Sequence, residues 1–403
     1  MESVKTRFLR YVQVDTQSAN ESDTFPTTLK QLDLSAALAE ECKSIGLRDV
    51  SKDENGYVYA SLPSNINTEG PAIGFVAHVD TSPDCSGKDV KPRITHDYDG
   101  VDITLGGGVT LSPKEFPDLK KYKGMDIITA SGGTLLGADD KAGLAEILTA
   151  MEYLIENPDI PHGKICVGFT PDEEVGHGVD RFDLKTFGAA FAYTIDGGEI
   201  GELESENFNA ARAIIKIAGK SVHTGSAKGI MINAGLIAAE LVSRMPENEI
   251  PAKTEGYEGF FHLLEIQGHV EQAKVVFLVR DFDLDGLKAR KAFIEKTVAE
   301  LNEKYGGALS LNQYDEYYNM AGPLAGHGHV VDIAHKAIED AGITPIRKPI
   351  RGGTDGSRLC YMGLPCPNIF TGGHNAHGPY EYIPLQSMGK AVEVIVNICK
   401  SSV

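Results

Sequence analysis

Short apolar runs alternate with helically spaced apolar positions through the first half of the chain. "AIGFVAHVD" (72–80), "DIITA" (126–130), "KICVGFT" (164–170) and "FAYTID" (191–196) have the length and composition of strands. "DLSAALAEECKSIG" (33–46) and "KAGLAEILTAMEYLIEN" (141–157) are spaced as helices, the first closing on Gly46 and the second before Pro158. Strands alternating with helices predict an α/β layered domain, a mostly parallel sheet with flanking helices. From about residue 209 the order changes to strand ("AARAIIKIAG"), helix ("IMINAGLIAAELVSRM"), two strands ("FFHLLEIQG", "KVVFLVRDF"), a long helix ("LDGLKARKAFIEKTVAELNEKYG") and a strand ("LSLNQYDEYYN"). That βαββαβ order predicts a ferredoxin-like unit. Helices at 329–342 and 385–400 around the strand-like "CPNIF" then return to the α/β style. The expected organisation is a discontinuous domain, 1–208 and 319–403, with a smaller domain, 209–318, inserted. Two domains also suit 403 residues, more than one core usually serves.

Composition narrows the partners. With 57 Asp and Glu against 38 Lys and Arg the net charge is −19, which argues against nucleic acid or an anionic membrane and favours a cationic group, such as a peptide amino terminus, as ligand. "MESVKTRFLRYVQVDTQ" has no signal-type apolar region, and no run approaches the ~18 apolar residues of a membrane span. Six scattered cysteines form no C-x-x-C and no disulfide framework, so a cytoplasmic protein with reduced thiols is expected.

The candidate chemistry sits where strands end. His78 and Asp80, two apart at the end of an apolar strand, face the same way, which suits a metal-binding histidine oriented by a carboxylate; a solvated turn is the bland alternative. In "GADDKAG" a helix cap accounts for one of Asp139 and Asp140 but not both. "TPDEE" brings Asp172, Glu173 and Glu174 to a strand end, "TIDGG" brings Asp196, and "TGGHNAHG" brings His374 and His377. Each alone is an ordinary turn. Together they converge on the carboxyl edge of a parallel sheet, where ligands bind, with no matching Lys or Arg beside them. Buried like charges must be paired or hold metal. The nitrogen and carboxylate mixture suits zinc, with cobalt or manganese as substitutes, and the ligand number fits two ions sharing a carboxylate. Of Glu173 and Glu174, one can then bind metal while its neighbour acts as general base. Competing motifs fail: the "GKS" at 219–221 lacks the first glycine of a phosphate loop, and neither H-E-x-x-H nor G-x-S-x-G occurs.

The stretches "AIGFVAHVDTSPDCSGK", "TLLGADDKAG", "FTPDEEVG", "YTIDGG", "ENFNAA", "TEGYEGF", "IRGGTDGS" and "LPCPNIFTGG", in this order along nearly the whole chain, resemble the two-zinc aminoacylase and carboxypeptidase family of metallopeptidases, and within it the tripeptide aminopeptidases. The resemblance implies that His78, Asp139 and Asp196 hold one zinc and that Asp139, Glu174 and His377 hold the other, with Asp139 bridging. It implies that Asp80 orients His78 and that Glu173 is the base. It gives the insert the role of lid and dimerisation domain, with His223 reaching a neighbouring active site to stabilise the oxyanion. Arg280, Asn319 and Arg351 are candidate anchors for a substrate carboxylate.

The expected protein is therefore a homodimeric, dinuclear zinc aminopeptidase releasing the N-terminal residue of short peptides, foremost tripeptides. A dipeptidase, carboxypeptidase or N-acyl amino acid hydrolase would share the same metal core. A non-catalytic peptide-binding protein of this fold would need no base at Glu173.

Overall fold

The computed structural model describes residues 2–67 and 70–401. The chain forms two compact units: Met1–Ser205 with Gly322–Lys348 and Thr354–Val403, and Glu206–Ala321 with Pro349–Gly353. The short segment 349–353, which carries Arg351, thus belongs to the second unit and not, as its position in sequence suggested, to the first.

The first unit is built on an eight-stranded sheet in the order Arg48–Lys52, Val58–Leu62, Ile165–Thr170, Ile73–His78, Phe191–Gly197, Asn368–Phe370, Glu202–Glu204, Ile346–Arg347. Its four central strands, from Ile165–Thr170 to Asn368–Phe370, run parallel to one another, so their carboxyl ends share one edge. Every residue of Ile73–His78 and Ile165–Thr170 is buried, which is why these strands read as unbroken apolar runs. Alternate side chains face opposite ways: Phe75 and Ala77 join the main core, whereas a Cβ at Gly74 would lie 2.4 Å from the Phe187 ring. Helix Ala138–Glu156 packs on Ile73–His78 and Phe191–Gly197 and is itself covered by Val4–Tyr11 and Leu385–Ser401. Gly143 permits the close approach, since a Cβ there would lie 2.0 Å from the carbonyl oxygen of Ile195.

One expected strand changes place. Ile127–Thr129, from "DIITA", pairs in a separate three-stranded sheet with Arg93–Thr95 and Tyr382–Pro384. Asp139 consequently does not follow a strand of the main sheet; it enters at the start of the long helix.

The second unit is a four-stranded antiparallel sheet ordered Phe260–Gly268, Gln272–Asp281, Asn209–Ala218, Leu309–Tyr317, with helices Ala234–Ser243 and Leu284–Tyr305 between them in the chain. This is ferredoxin-like topology. Ala211, Ala213, Ile215 and Ile217 alternate toward a core completed by Ile237, Leu241, Ile294 and Leu301. Asn233 and Asp283 cap the two helices by accepting from the amides of Leu236 and Gly286.

Candidate metal centre

The central ladder continues past the strand ends. Val79 N–H donates to Thr170 O (2.8 Å) and Thr371 N–H to Gly197 O (2.9 Å), which fixes the turns that follow. His78, 2 % exposed, closes its strand with Nδ1 turned to the carbonyl oxygen and Oδ1 of Asp80, at 3.1 and 3.3 Å. With Nδ1 held by Asp80, Nε2 is the ring atom left to meet a metal. That atom lies 2.9 Å from Asp139 Oδ1 and 3.5 Å from Asp196 Oδ1. Asp139's other oxygen, Oδ2, lies 3.3 Å from His377 Nε2, which in turn is 2.8 Å from Glu174 Oε2. One carboxylate therefore offers one oxygen to each histidine. Ligand atoms of His78, Asp139 and Glu174 lie within 4.8 Å of one another, as do those of His78, Glu173 and Asp196.

Buried carboxylates hold the turns. Both oxygens of Asp80 accept backbone amides of the acidic turn, Glu173 N–H at 3.0 Å and Glu174 N–H at 3.2 Å. Asp172, in a left-handed conformation (φ 55°), turns inward and accepts from Thr27 N–H (2.7 Å) and the Gln31 amide (2.6 Å). The three adjacent acids of "DEE" are thus separated into one anchored inside and two presented at the site. Asp140, fully buried, accepts from His78 N–H (3.1 Å) and Gly143 N–H (3.2 Å), so it sets backbone while Asp139 faces the histidines.

His374 is occupied otherwise. Its ring stacks on Tyr382 (4.7 Å between centroids), and its Nε2 is 2.7 Å from the Tyr122 hydroxyl. Burial pushes it down to about 4, so it is a neutral structural histidine. Sequence reasoning also missed three residues. Asp84 lies 3.6 Å from His377 Nδ1. Asp355, 4 % exposed, accepts from the Thr170 hydroxyl at 2.7 Å. Glu381 binds the backbone beside Asp139. Its only sequence signal was an acid four residues after His377.

In the second unit, His223 is exposed, and its Nδ1 accepts from Gly225 N–H at 3.1 Å, so Nε2 carries the ring proton. Arg280, 9 % exposed, pairs with Glu316 (3.1 Å) and lies over the Tyr317 ring. Arg351 donates to the carbonyls of Gly256, Glu258 and Thr254 and stacks on Phe208 and Phe260. Asn319 accepts from the amides of Asn207 and Ala321 and donates to Phe282 O.

Residues 129–401 match the model of peptidase family M20/M25/M40. The chain belongs to this family. It is 58 % identical over 401 residues to a protein named Peptidase T of Clostridium perfringens, covering 99 % of each, and 56 % identical to one of the same name from Alkaliphilus oremlandii, covering 99 % of this chain and 98 % of that one. Its fold matches the crystal structure of a tripeptidase from Staphylococcus aureus with TM-score 0.79 at 24 % identity, over 99 % of this chain and 97 % of the other. The chain is thus a peptidase, a hydrolase of peptide bonds. Its donor set fits metal ions: imidazoles and carboxylates converge, and Glu174 keeps one oxygen, Oε1, buried without a hydrogen-bond partner among the described residues.

Without cations the centre is electrostatically loaded. Burial, with Asp139 beside it, pushes Glu174 up to about 8; burial pushes Asp196 up to about 6 and holds Glu173 well above the carboxylate range. Hydrogen bonds to Asp139 and Glu174 push His377 up to about 11. Groups whose folded values are raised hold protons better in the folded chain. Their stabilisation is complete below the unfolded values and is lost as pH rises through the folded ones. For the two carboxyls that window runs from about pH 4 to about 8, and His377 acts in the same direction from its unfolded value toward about 11. Metal-free protein should therefore melt at progressively lower temperature from pH 5 to pH 8, while the increase in melting temperature on adding metal grows over that range. Scanning calorimetry of both forms checks this; a metal-induced increase that shrinks with pH would contradict it.

Proposed function

We propose that this peptidase is a dinuclear zinc aminopeptidase, with cobalt or manganese able to replace zinc, that releases the N-terminal residue of tripeptides in the cytoplasm. The observation that carries the reading is the carboxylate of Asp139, with Oδ1 toward His78 and Oδ2 toward His377. Asp196 stands beside the first histidine and Glu174 beside the second. His78, Asp139 and Asp196 would hold one ion, and Asp139, Glu174 and His377 the other. When bound, the ions supply Lewis acidity, polarising the scissile carbonyl and acidifying a water. Glu173 takes that water's proton and returns it to the leaving amine, a role that its carboxylate beside His78 and Asp196 is placed to serve. Asp80 fixes the tautomer of His78 and the turn of Glu173 together. The Peptidase T name of the curated relatives and the tripeptidase fold match support the substrate class. Six free cysteines, five of them buried, support the compartment, and among the described residues no helix is long and apolar enough to cross a membrane.

Within this reading residues 209–318 act as lid and dimerisation domain, and the exposed Nε2–H of His223 stabilises the oxyanion at a partner's site. Arg280, Asn319 and Arg351 are the candidates for holding the substrate's terminal carboxylate, which a guanidinium does best with two parallel hydrogen bonds.

Glu173→Gln should keep its metal and lose turnover by roughly 10²–10⁴-fold, because an amide cannot accept the water's proton. Glu174→Gln should instead lose metal affinity. Metal analysis beside steady-state kinetics separates the two, and reversed behaviour would exchange their roles.

His223→Ala should retain metal and lose about 10²–10³-fold in kcat. Mixed with Glu173→Gln it should regain activity through hybrid dimers, each with one complete site. Proven subunit exchange without recovery would remove the role across subunits.

Tripeptides should be cleaved faster than dipeptides or tetrapeptides, and C-terminal amidation should raise KM. Equal hydrolysis of free and amidated tripeptides would rule out a carboxylate anchor.

A further inference from the structure

We infer that Glu381 is a positioning residue for the metal centre: its carboxylate holds the backbone turn that presents Asp139, and it does so before metal arrives. The side chain is 1 % exposed. Oε2 accepts the amides of Leu136 (2.6 Å) and Gly137 (2.7 Å), and Oε1 accepts the amide of Asp139 (3.1 Å). Three backbone N–H groups aimed at one anion form a nest, and Gly137, at φ 81°, gives the chain the curvature that turns them inward. The nearby buried cation does not compete, because Lys141 Nζ donates to Val14 O at 2.6 Å. Among the described residues Glu381 has no ion pair, so the amides are what hold its charge.

The same loop carries a ligand. His374 and Tyr382 exchange both backbone hydrogen bonds (2.9 and 3.1 Å), closing residues 374–382 into a loop that contains His377 and Glu381. His377 meets the side chain of Asp139 and Glu381 meets its backbone. The bridging carboxylate is therefore located twice from one loop. Without these bonds the turn that carries Asp139 would have no acceptor for three inward-facing amides, and each ion would have to reorder it as it bound. Held in place, Asp139 waits in its bridging position, and metal affinity rises accordingly.

This inference rests on the dinuclear reading above. A wild-type chain that took up no metal would sink that reading, whereas the following comparison tests Glu381 alone. In Glu381→Gln one accepting oxygen becomes an NH₂ group that faces an amide N–H. Competition with a chromophoric chelator should show metal affinity lowered by about 10–100-fold, with the KM for peptide at saturating metal unchanged. Asp53→Asn is the control. Asp53 Oδ1 accepts two turn amides, Asn55 and Tyr57, at 2.9 Å each, and its variant should lose stability without losing metal affinity. If Glu381→Gln loses no more affinity than Asp53→Asn, Glu381 is an ordinary turn cap and the inference is wrong. Should the variant not fold, wild-type hydrogen exchange decides. The amides of Leu136, Gly137 and Asp139 should be protected in metal-free protein, and free exchange until metal is added would overturn the inference.

Discussion

Buried negative charge at the carboxyl edge of a parallel sheet governs this structure. Four neighbouring strands run the same way, and their ends, with the start of helix Ala138–Glu156, deliver Asp80, Asp139, Asp140, Asp172, Glu173, Glu174 and Asp196 to one region. Among the described residues no arginine is a hydrogen-bond partner of these acids, and the buried Lys141 is turned to a carbonyl. Carboxylates in such surroundings must be neutralised by protons, by hydrogen-bond donors or by cations.

The fold divides these means between two sets of acids. Asp80, Asp140, Asp172 and Glu381 receive backbone or amide N–H groups from the turns around them. They become the scaffold, and each fixes a segment that carries a residue proposed as ligand or base. Among the described residues the carboxylates of Asp139, Glu174 and Asp196 receive no such donors and are left to the two histidines. A donor set of this kind binds divalent metal because the protein has already satisfied the other acids by different means. Geometry separates the roles even within "DEE": Asp172 points in, and Glu173 and Glu174 point out from a turn that Asp80 clamps.

Much of this was legible in the sequence, for a physical reason. Strands buried on both faces read as continuous apolar runs, so 72–80, 164–170 and 191–196 stood out, and although an acid or histidine after one such run is an ordinary turn, several of them at strand ends together are not. The alternating pattern of "AARAIIKIAG" likewise marked a sheet with one covered face. "DIITA" misled because a three-residue apolar strand reads the same in a large sheet or a small one. Two outer strands escaped notice: the edge strand "RDVSK" is polar and mostly exposed, and Glu202–Glu204, next to the other edge, is short and carries two buried glutamates. Glu381, Asp355 and the anchoring of Asp172 were invisible because their partners are backbone amides, a hydroxyl or a glutamine side chain 141 to 245 residues away in the chain. Spacing within a motif carries no trace of such contacts. The assignment of Glu173 and Glu174, by contrast, came from family resemblance, since adjacent acids are equivalent until a turn orients them.

The central claim is that Asp139 is shared by two ions. Anomalous diffraction at the zinc edge from crystals of the zinc-loaded protein tests it most directly. The account predicts two peaks per chain about 3.5–4 Å apart, one on each side of the Asp139 carboxylate. The peak beside His78 should also contact Asp196, and the peak beside His377 should also contact Glu174. A single peak, or two peaks that do not share Asp139, would contradict it.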